Sequence, residues 1–362
     1  MHTGMNPGRW AVLVAVTAMV TAFATPADAA TGPTATLTDG TLTVDGTAER
    51  DVLLVRIEAD RVTLDVGFDD TVDAEFPRAE VQRVQVFGNG GNDGMSVFGT
   101  GPLPVSINGG LGDDFVGALG DFFSTGAGDA PTTLIGEDGN DSLDSSTPGP
   151  ATIDGGPGDD VADGGGTGIA RETVSLGDGN DVFRITLDRD SGEVSDTLDA
   201  GTGQDALEIS GTFASESMGL SAGAGHLIVD HAFRNRVDAD NVEDVSYFGF
   251  GGLDVSGSGD AVAVNDLSTT DVVRFTPNFG ATGRGSTAPN NSSDTLTVRG
   301  TNRRDRIVVK GFGSNVTVAG LTPLVTPEFL APDDFLNIDT LKGRDIVDSS
   351  ALAPGTVQLI VR

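Results

Sequence analysis

Residues 109–116 read Gly109-Gly110-Leu111-Gly112-Asp113-Asp114-Phe115-Val116, and residues 155–162 read Gly155-Gly156-Pro157-Gly158-Asp159-Asp160-Val161-Ala162. Both fit G-G-x-G-x-D-x-U, where U is an apolar residue, small in the case of Ala162. Near matches stand at 88–95 (GNGGNDGM), 136–143 (GEDGNDSL), 176–183 (LGDGNDVF) and 200–207 (AGTGQDAL). The sixth-position aspartates are Asp93, Asp114, Asp141, Asp160, Asp181 and Asp205, at intervals of 21, 27, 19, 21 and 24 residues. Short β-rich segments such as VSING, ATIDG and TVSLG lie between them. A strand, a turn, a second strand and a Gly-rich turn make one coil, so this spacing predicts a solenoid with one motif per coil, stacked along one edge.

Composition agrees with a fold that lacks a core of large side chains. The 362 residues include 52 glycines and few aromatics, yet 38% are hydrophobic, which argues against disorder of the whole chain. Runs such as TLTV, VLLVRI and RIVVK are β-rich, and no helical periodicity follows residue 30. Acids outnumber bases by 54 to 21, a formal charge of −33 that disfavours nucleic acid and anionic lipid as partners and calls for counter-cations. There is no cysteine and hence no disulfide framework. Arg9, the apolar run 10–24 and Ala27-Asp28-Ala29 make a secretory signal peptide, with cleavage expected after Ala29 and a secreted product. The apolar run is too short for a membrane span, and none is expected in the mature chain.

The segment 43–64 matches 297–318 at an offset of 254, aligning Gly46 with Gly300, Thr47 with Thr301 and Asp51 with Asp305. The expected organisation is therefore a signal peptide (1–29), a calcium-binding solenoid module (30–210) and a degenerate solenoid module (211–362) with a loop insertion near 278–294.

Calcium takes six to eight oxygen ligands. Glycine permits positive φ, which turns backbone carbonyls inward, and Gly110, Gly112, Gly139, Gly156, Gly158, Gly177, Gly179, Gly201 and Gly203 are the positions read in this way. The sixth-position carboxylates add charge, and Asp113, Asn140, Asp159 and Asn180 at the fifth position add further oxygens. An ion between two stacked turns would draw on both. Beside Asp51, Asp305 and Asp345 stand Arg50, Arg303, Arg304 and Arg344, which are expected to neutralise those aspartates in place of a metal.

On residues 88–95, 109–117, 136–144, 155–163, 176–184 and 200–208 the chain resembles the repeats-in-toxin, or haemolysin-type, calcium-binding repeats. The resemblance implies an all-β fold, a right-handed parallel β-roll or β-helix solenoid, with Ca2+ held by loop carbonyls and by Asp114, Asp141, Asp160, Asp181 and Asp205, together with Asp93. The copies are not tandem nonapeptides, so a cross-section wider than a strict roll is expected.

Enzyme chemistry is not expected. His226 and His231 fall on opposite faces of a strand. Gly219-Leu220-Ser221-Ala222-Gly223 formally matches a nucleophile elbow but lacks a following helix. The alternatives are a structural or adhesive spacer at the cell surface and, by fold analogy only, a calcium-dependent polysaccharide lyase or epimerase, for which Tyr247, Phe248 and Phe250 are the one aromatic cluster.

Overall fold

The computed structural model describes residues 32–99, 103–120, 130–147, 149–164, 171–186, 194–212, 215–231, 235–249, 258–282, 284–290 and 292–362. The proposed signal peptide lies outside the described residues. The chain forms two compact units, Met1–Glu172 and Thr173–Arg362. This boundary, set by contacts, falls within the motif run; the boundary expected at 210 was set by where motifs end. Among the described residues the only helical element is the single 3-10 turn Arg78–Glu80. No helix there is long and apolar enough to cross a membrane.

In the first unit the chain alternates between two sheets. One holds, in spatial order, Thr34–Thr38, Thr41–Asp45, Arg83–Gly90, Val105–Leu111, Thr132–Ile135 and Ala151–Pro157. The other holds Val161–Asp163, Ser142–Asp144, Phe115–Leu119, Gly94–Gly99, Val52–Ile57, Arg61–Val66 and Ala74–Pro77. Successive coils add one parallel strand to each sheet, with Val84, Val105, Thr132 and Ala151 in register on one and Gly94, Phe115, Ser142 and Val161 on the other. The side-chain period of two sends Val86, Ile107, Leu134 and Ile153 inward from the first sheet and Met95, Val116, Leu143 and Ala162 inward from the second. All eight are buried, each large one worth about 1.5–3 kcal/mol of transfer free energy. The pairing turns antiparallel only at the first coil, where Thr34–Thr38 and the strands Arg61–Val66 and Ala74–Pro77 close the sheets.

The second unit repeats this plan with two interruptions. Antiparallel hairpins are inserted at Ser217–Gly223 with His226–His231 and at Arg306–Phe312 with Asn315–Ala319. The second hairpin is the counterpart of Val52–Ile57 with Arg61–Val66, so the 254-residue offset aligns two turn-plus-hairpin segments of the same construction. The Gly219–Gly223 stretch is part of a strand, which removes the strand–turn–helix geometry of a nucleophile elbow. His226 is half-exposed and His231 buried, and burial lowers the latter's pKa to about 4. The insertion near 278–294 is anchored: Phe279 is fully buried, Gly280 bridges Pro289, and Asn290 Nδ2 donates to Asp294 Oδ2 at 2.9 Å.

Candidate metal-binding turns

Six turns join the sheets at the motif positions: 88–93, 109–114, 136–141 and 155–160 in the first unit, 176–181 and 200–205 in the second. Positions two and four have positive φ in every copy. Position two runs from 73° to 108° and includes Asn89 and Glu137; position four runs from 108° to 157°. Position four also stacks closely on its neighbour. A Cβ on Gly139 would lie 1.9 Å from the Gly112 carbonyl oxygen, and one on Gly158 would lie 1.6 Å from that of Gly139. No side chain fits there, in space or in φ. Gly158→Ala is expected to cost about 2–4 kcal/mol, read as a lowered denaturation midpoint; an unchanged midpoint would show that the turns do not stack this closely.

Besides backbone pairs such as Gly110 N–H to Gly136 O and Gly112 N–H to Asp138 O, side chains tie turn to turn in two ladders. Inside, the N–H groups of Asp51, Asp93, Asp114 and Asp141 donate to Oδ1 of Asp93, Asp114, Asp141 and Asp160 in the following coil, at 2.7–2.8 Å. In the second unit Asp181 N–H donates to Asp205 Oδ1 and Asp205 N–H to Glu243 Oε2, both at 2.8 Å. Outside, the ladder runs the other way. The N–H groups of Asp113, Asn140 and Asp159 donate to Oδ1 of Asn92, Asp113 and Asn140 in the preceding coil, at 3.2, 3.0 and 2.7 Å, and Gln204 N–H donates to Asn180 Oδ1 at 3.1 Å. The fifth-position residues are exposed and the sixth-position aspartates buried. The structure therefore separates residues that the sequence pooled: Asp113, Asn140, Asp159 and Asn180 stand on the outer surface of the turn, and Asp93, Asp114, Asp141, Asp160, Asp181 and Asp205 stand within it.

The inner ladder uses only one oxygen of each carboxylate. Oδ2 of Asp93, Asp114, Asp141 and Asp205 is buried and accepts no hydrogen bond. In three turns it packs, with a carbonyl oxygen of the next coil, against the Cα of the first-position glycine. The point a Cβ on Gly88 would occupy lies 2.4 Å from Asp93 Oδ2 and 2.3 Å from the Gly109 carbonyl oxygen. For Gly109 the distances are 2.4 Å to Asp114 Oδ2 and 2.8 Å to Gly136 O; for Gly136 they are 2.3 Å to Asp141 Oδ2 and 2.4 Å to Gly155 O. Gly201 and Gly203 form their turn as expected, but in the second-unit turns the first position is Leu176 or Ala200, both buried, so a side chain occupies that space. Gly177 and Gly179 share the arrangement at 176–181.

Burial is the largest influence on these acids. It pushes Asp93 and Asp141 up to about 7 and Asp114 and Asp205 up to about 6, against the opposing effect of the donated N–H, and neighbouring acids raise them further. A buried carboxylate oxygen with no N–H or O–H donor among the described residues, packed near a carbonyl oxygen, is stabilised by a proton or a cation. The oxygen-only donor set suits a hard cation such as Ca2+ and not a soft one. The fit is in donor chemistry. Among the described residues no three acidic or histidine side chains converge, so the rest of a calcium shell would come from backbone carbonyls and water.

A second kind of turn satisfies its acid internally. Thr47 donates N–H and Oγ1–H to Asp51 Oδ2 at 2.6 and 2.9 Å. Thr301 donates its N–H to Asp305 Oδ2 at 2.7 Å and its hydroxyl to Oδ1 at 2.8 Å, and Thr212 N–H donates to Glu216 Oε1 at 2.5 Å. The arginines expected to neutralise Asp305 and Asp345 do not: among the described residues no ion pair joins either to Arg303, Arg304 or Arg344. For Asp305, as for Asp51, threonine donates hydrogen bonds instead, and its signal was legible as Gly-Thr opening the turns at 46, 211 and 300; Asp345 Oδ1 accepts from the Asp305 N–H. Sequence reasoning also missed a further inner ladder in the second unit, where the N–H groups of Glu216, Asp260 and Asp294 donate to Asp260, Asp294 and Asp334.

No family model matches the chain, and comparison with curated proteins returned no match.

Proposed function

We propose that this chain is an exported calcium-binding protein, a right-handed parallel β-roll whose turns at 88–93, 109–114 and 136–141 hold Ca2+ and couple its binding to folding. The observation that carries this reading is the unpaired Oδ2 of Asp93, Asp114 and Asp141, each packed, with a glycine carbonyl oxygen of the next coil, against the first-position glycine. Bound there, calcium would neutralise these oxygens. The chain's own residues do the rest. The φ-positive glycines aim the carbonyls, the aspartate Oδ1 atoms fix each carboxylate by taking the neighbouring N–H, and the buried apolar residue two positions after each aspartate (Met95, Val116, Leu143) holds the turn against the core. Outside the cell, where calcium is plentiful, such turns would close; where it is scarce, their mutual repulsion would oppose folding. Calcium titration by calorimetry tests this. The mature chain should bind calcium with a stoichiometry that falls by about two ions in Asp114→Ala/Asp141→Ala, one for each cradle removed. An unchanged stoichiometry would refute the assignment.

A further inference from the structure

Charge is unevenly distributed along this chain. Residues 299–362 carry eight bases against seven acids, while residues 1–298 carry 13 bases against 47 acids. Four of the eight, Arg303, Arg304, Lys342 and Arg344, sit in two turns stacked one coil apart, tied by Asp305 N–H to Asp345 Oδ1 at 2.8 Å. All four are exposed. Among the described residues none makes an ion pair or a side-chain hydrogen bond. Elsewhere in the second unit Arg184, Arg236, Arg274 and Arg299 are each paired with an acid, whereas Arg306, Lys310 and Arg362 are exposed and, among the described residues, unpaired but do not sit in the two stacked turns. Four unpaired cations in so acidic a chain form a basic row built on the coil repeat.

The first unit carries a row of opposite sign with the same repeat. Asp113, Asp138 and Asp159 are exposed on three consecutive motif turns. Neighbouring coils in either row are one strand spacing apart, about 4.8 Å, so the two rows are commensurate. We infer that the basic turns around Arg303, Arg304, Lys342 and Arg344 dock on the acidic motif turns of a second copy of this chain. The contact is heterologous, one edge meeting a different edge, so it does not close and generates open chains of molecules. The formal charge of −33 opposes association at long range, and salt screens that repulsion before it weakens direct pairs. Association is therefore strongest near physiological ionic strength, where the screening length is about 8 Å, and lost near 1 M, where it is about 3 Å.

Sedimentation velocity of the mature chain at about 100 µM, in 1 mM calcium chloride, reads this directly. At 150 mM salt the weight-average mass should rise with concentration without a limiting size, and at 1 M it should return to the monomer. Arg303→Glu/Arg304→Glu/Arg344→Glu should remain monomeric at 150 mM with an unchanged far-UV spectrum. So should Asp113→Asn/Asp138→Lys/Asp159→Asn, in which asparagine keeps the outer-ladder acceptor used at Asn92 and Asn140. Mixing the two variants should restore association, since each retains the row the other lacks. A wild-type chain that stays monomeric throughout overturns the proposal. So does association that survives the arginine substitutions, or a monomer that binds a sulfated polysaccharide through the same arginines.

Discussion

Stripped of divalent cations, the mature chain should lose stability as pH rises from about 4 to about 7, the reverse of the usual behaviour of surface carboxylates. Asp93 and Asp141 titrate near 7 in the folded chain, and Asp114 and Asp205 near 6, all above the ordinary aspartate value. The folded state then binds more protons than the unfolded state across that window, so stability is full below the unfolded value and falls as pH passes through the folded ones. Each group contributes a slope of up to about 1.4 kcal/mol per pH unit. Several in series rival the ~5–15 kcal/mol by which a typical protein is stable. Calcium should flatten the curve by taking the place of the protons, and its addition at pH 6 should release them. Urea midpoints at pH 4.5, 5.5 and 7, in EDTA and in calcium, decide the matter. A midpoint that climbs with pH in EDTA would exclude a proton-or-cation role for the inner aspartates.

The second large effect is expected at a glycine. In Gly136→Ala the new methyl group would sit 2.3 Å from Asp141 Oδ2 and 2.4 Å from the Gly155 carbonyl oxygen, both of which now pack against the glycine Cα. The variant should bind one calcium fewer and lose about 2–4 kcal/mol in calcium-containing buffer. Ala200→Gly runs the other way. It removes the buried methyl group at the first position of a turn whose Asp205 Oδ2 is already unpaired, and should add binding capacity at that coil. Calorimetric stoichiometry separates the two. If Gly136→Ala binds as many ions as the parent, the space over the first-position glycine is not where the metal's oxygens meet.

Much of the architecture was legible because the motif carries its own period. Aspartates 19–27 residues apart with β-rich segments between leave room for two strands and a return, and each interval is one coil. What the motif could not reveal was the division of labour within it. Fifth- and sixth-position acids look alike in sequence, yet the turn leaves Asp113 exposed and Asp114 buried. The second unit was harder. Its inner acids Glu216, Asp260, Asp294 and Asp334 are separated by 44, 34 and 40 residues, and the hairpin Ser217–Gly223 with His226–His231 accounts for part of the excess. A coil lengthened by a hairpin keeps its hydrogen bonds and loses its period; these acids also lead into strands of the first sheet, where the motif aspartates lead into the second, so they form a separate ladder where no repeat can be read. The calcium reading rests on the buried Oδ2 atoms of the inner aspartates, and the export reading on residues 1–29 of the sequence alone.

The opposed ladders in the first unit bear on how such a chain can change length. Within these ladders the turns at 109–114 and 136–141 each give one backbone donor forward and another backward, and receive one from each side. A coil is thus self-matched: removing residues 115–141 as a block would leave the Asp114 N–H facing Asp160, an acceptor identical in kind to the one it lost. Duplication or loss of a whole coil leaves every turn satisfied, and any fractional change leaves two turns mismatched. The hydrogen-bond pattern, more than the core, makes the coil the unit in which this protein can grow or shrink.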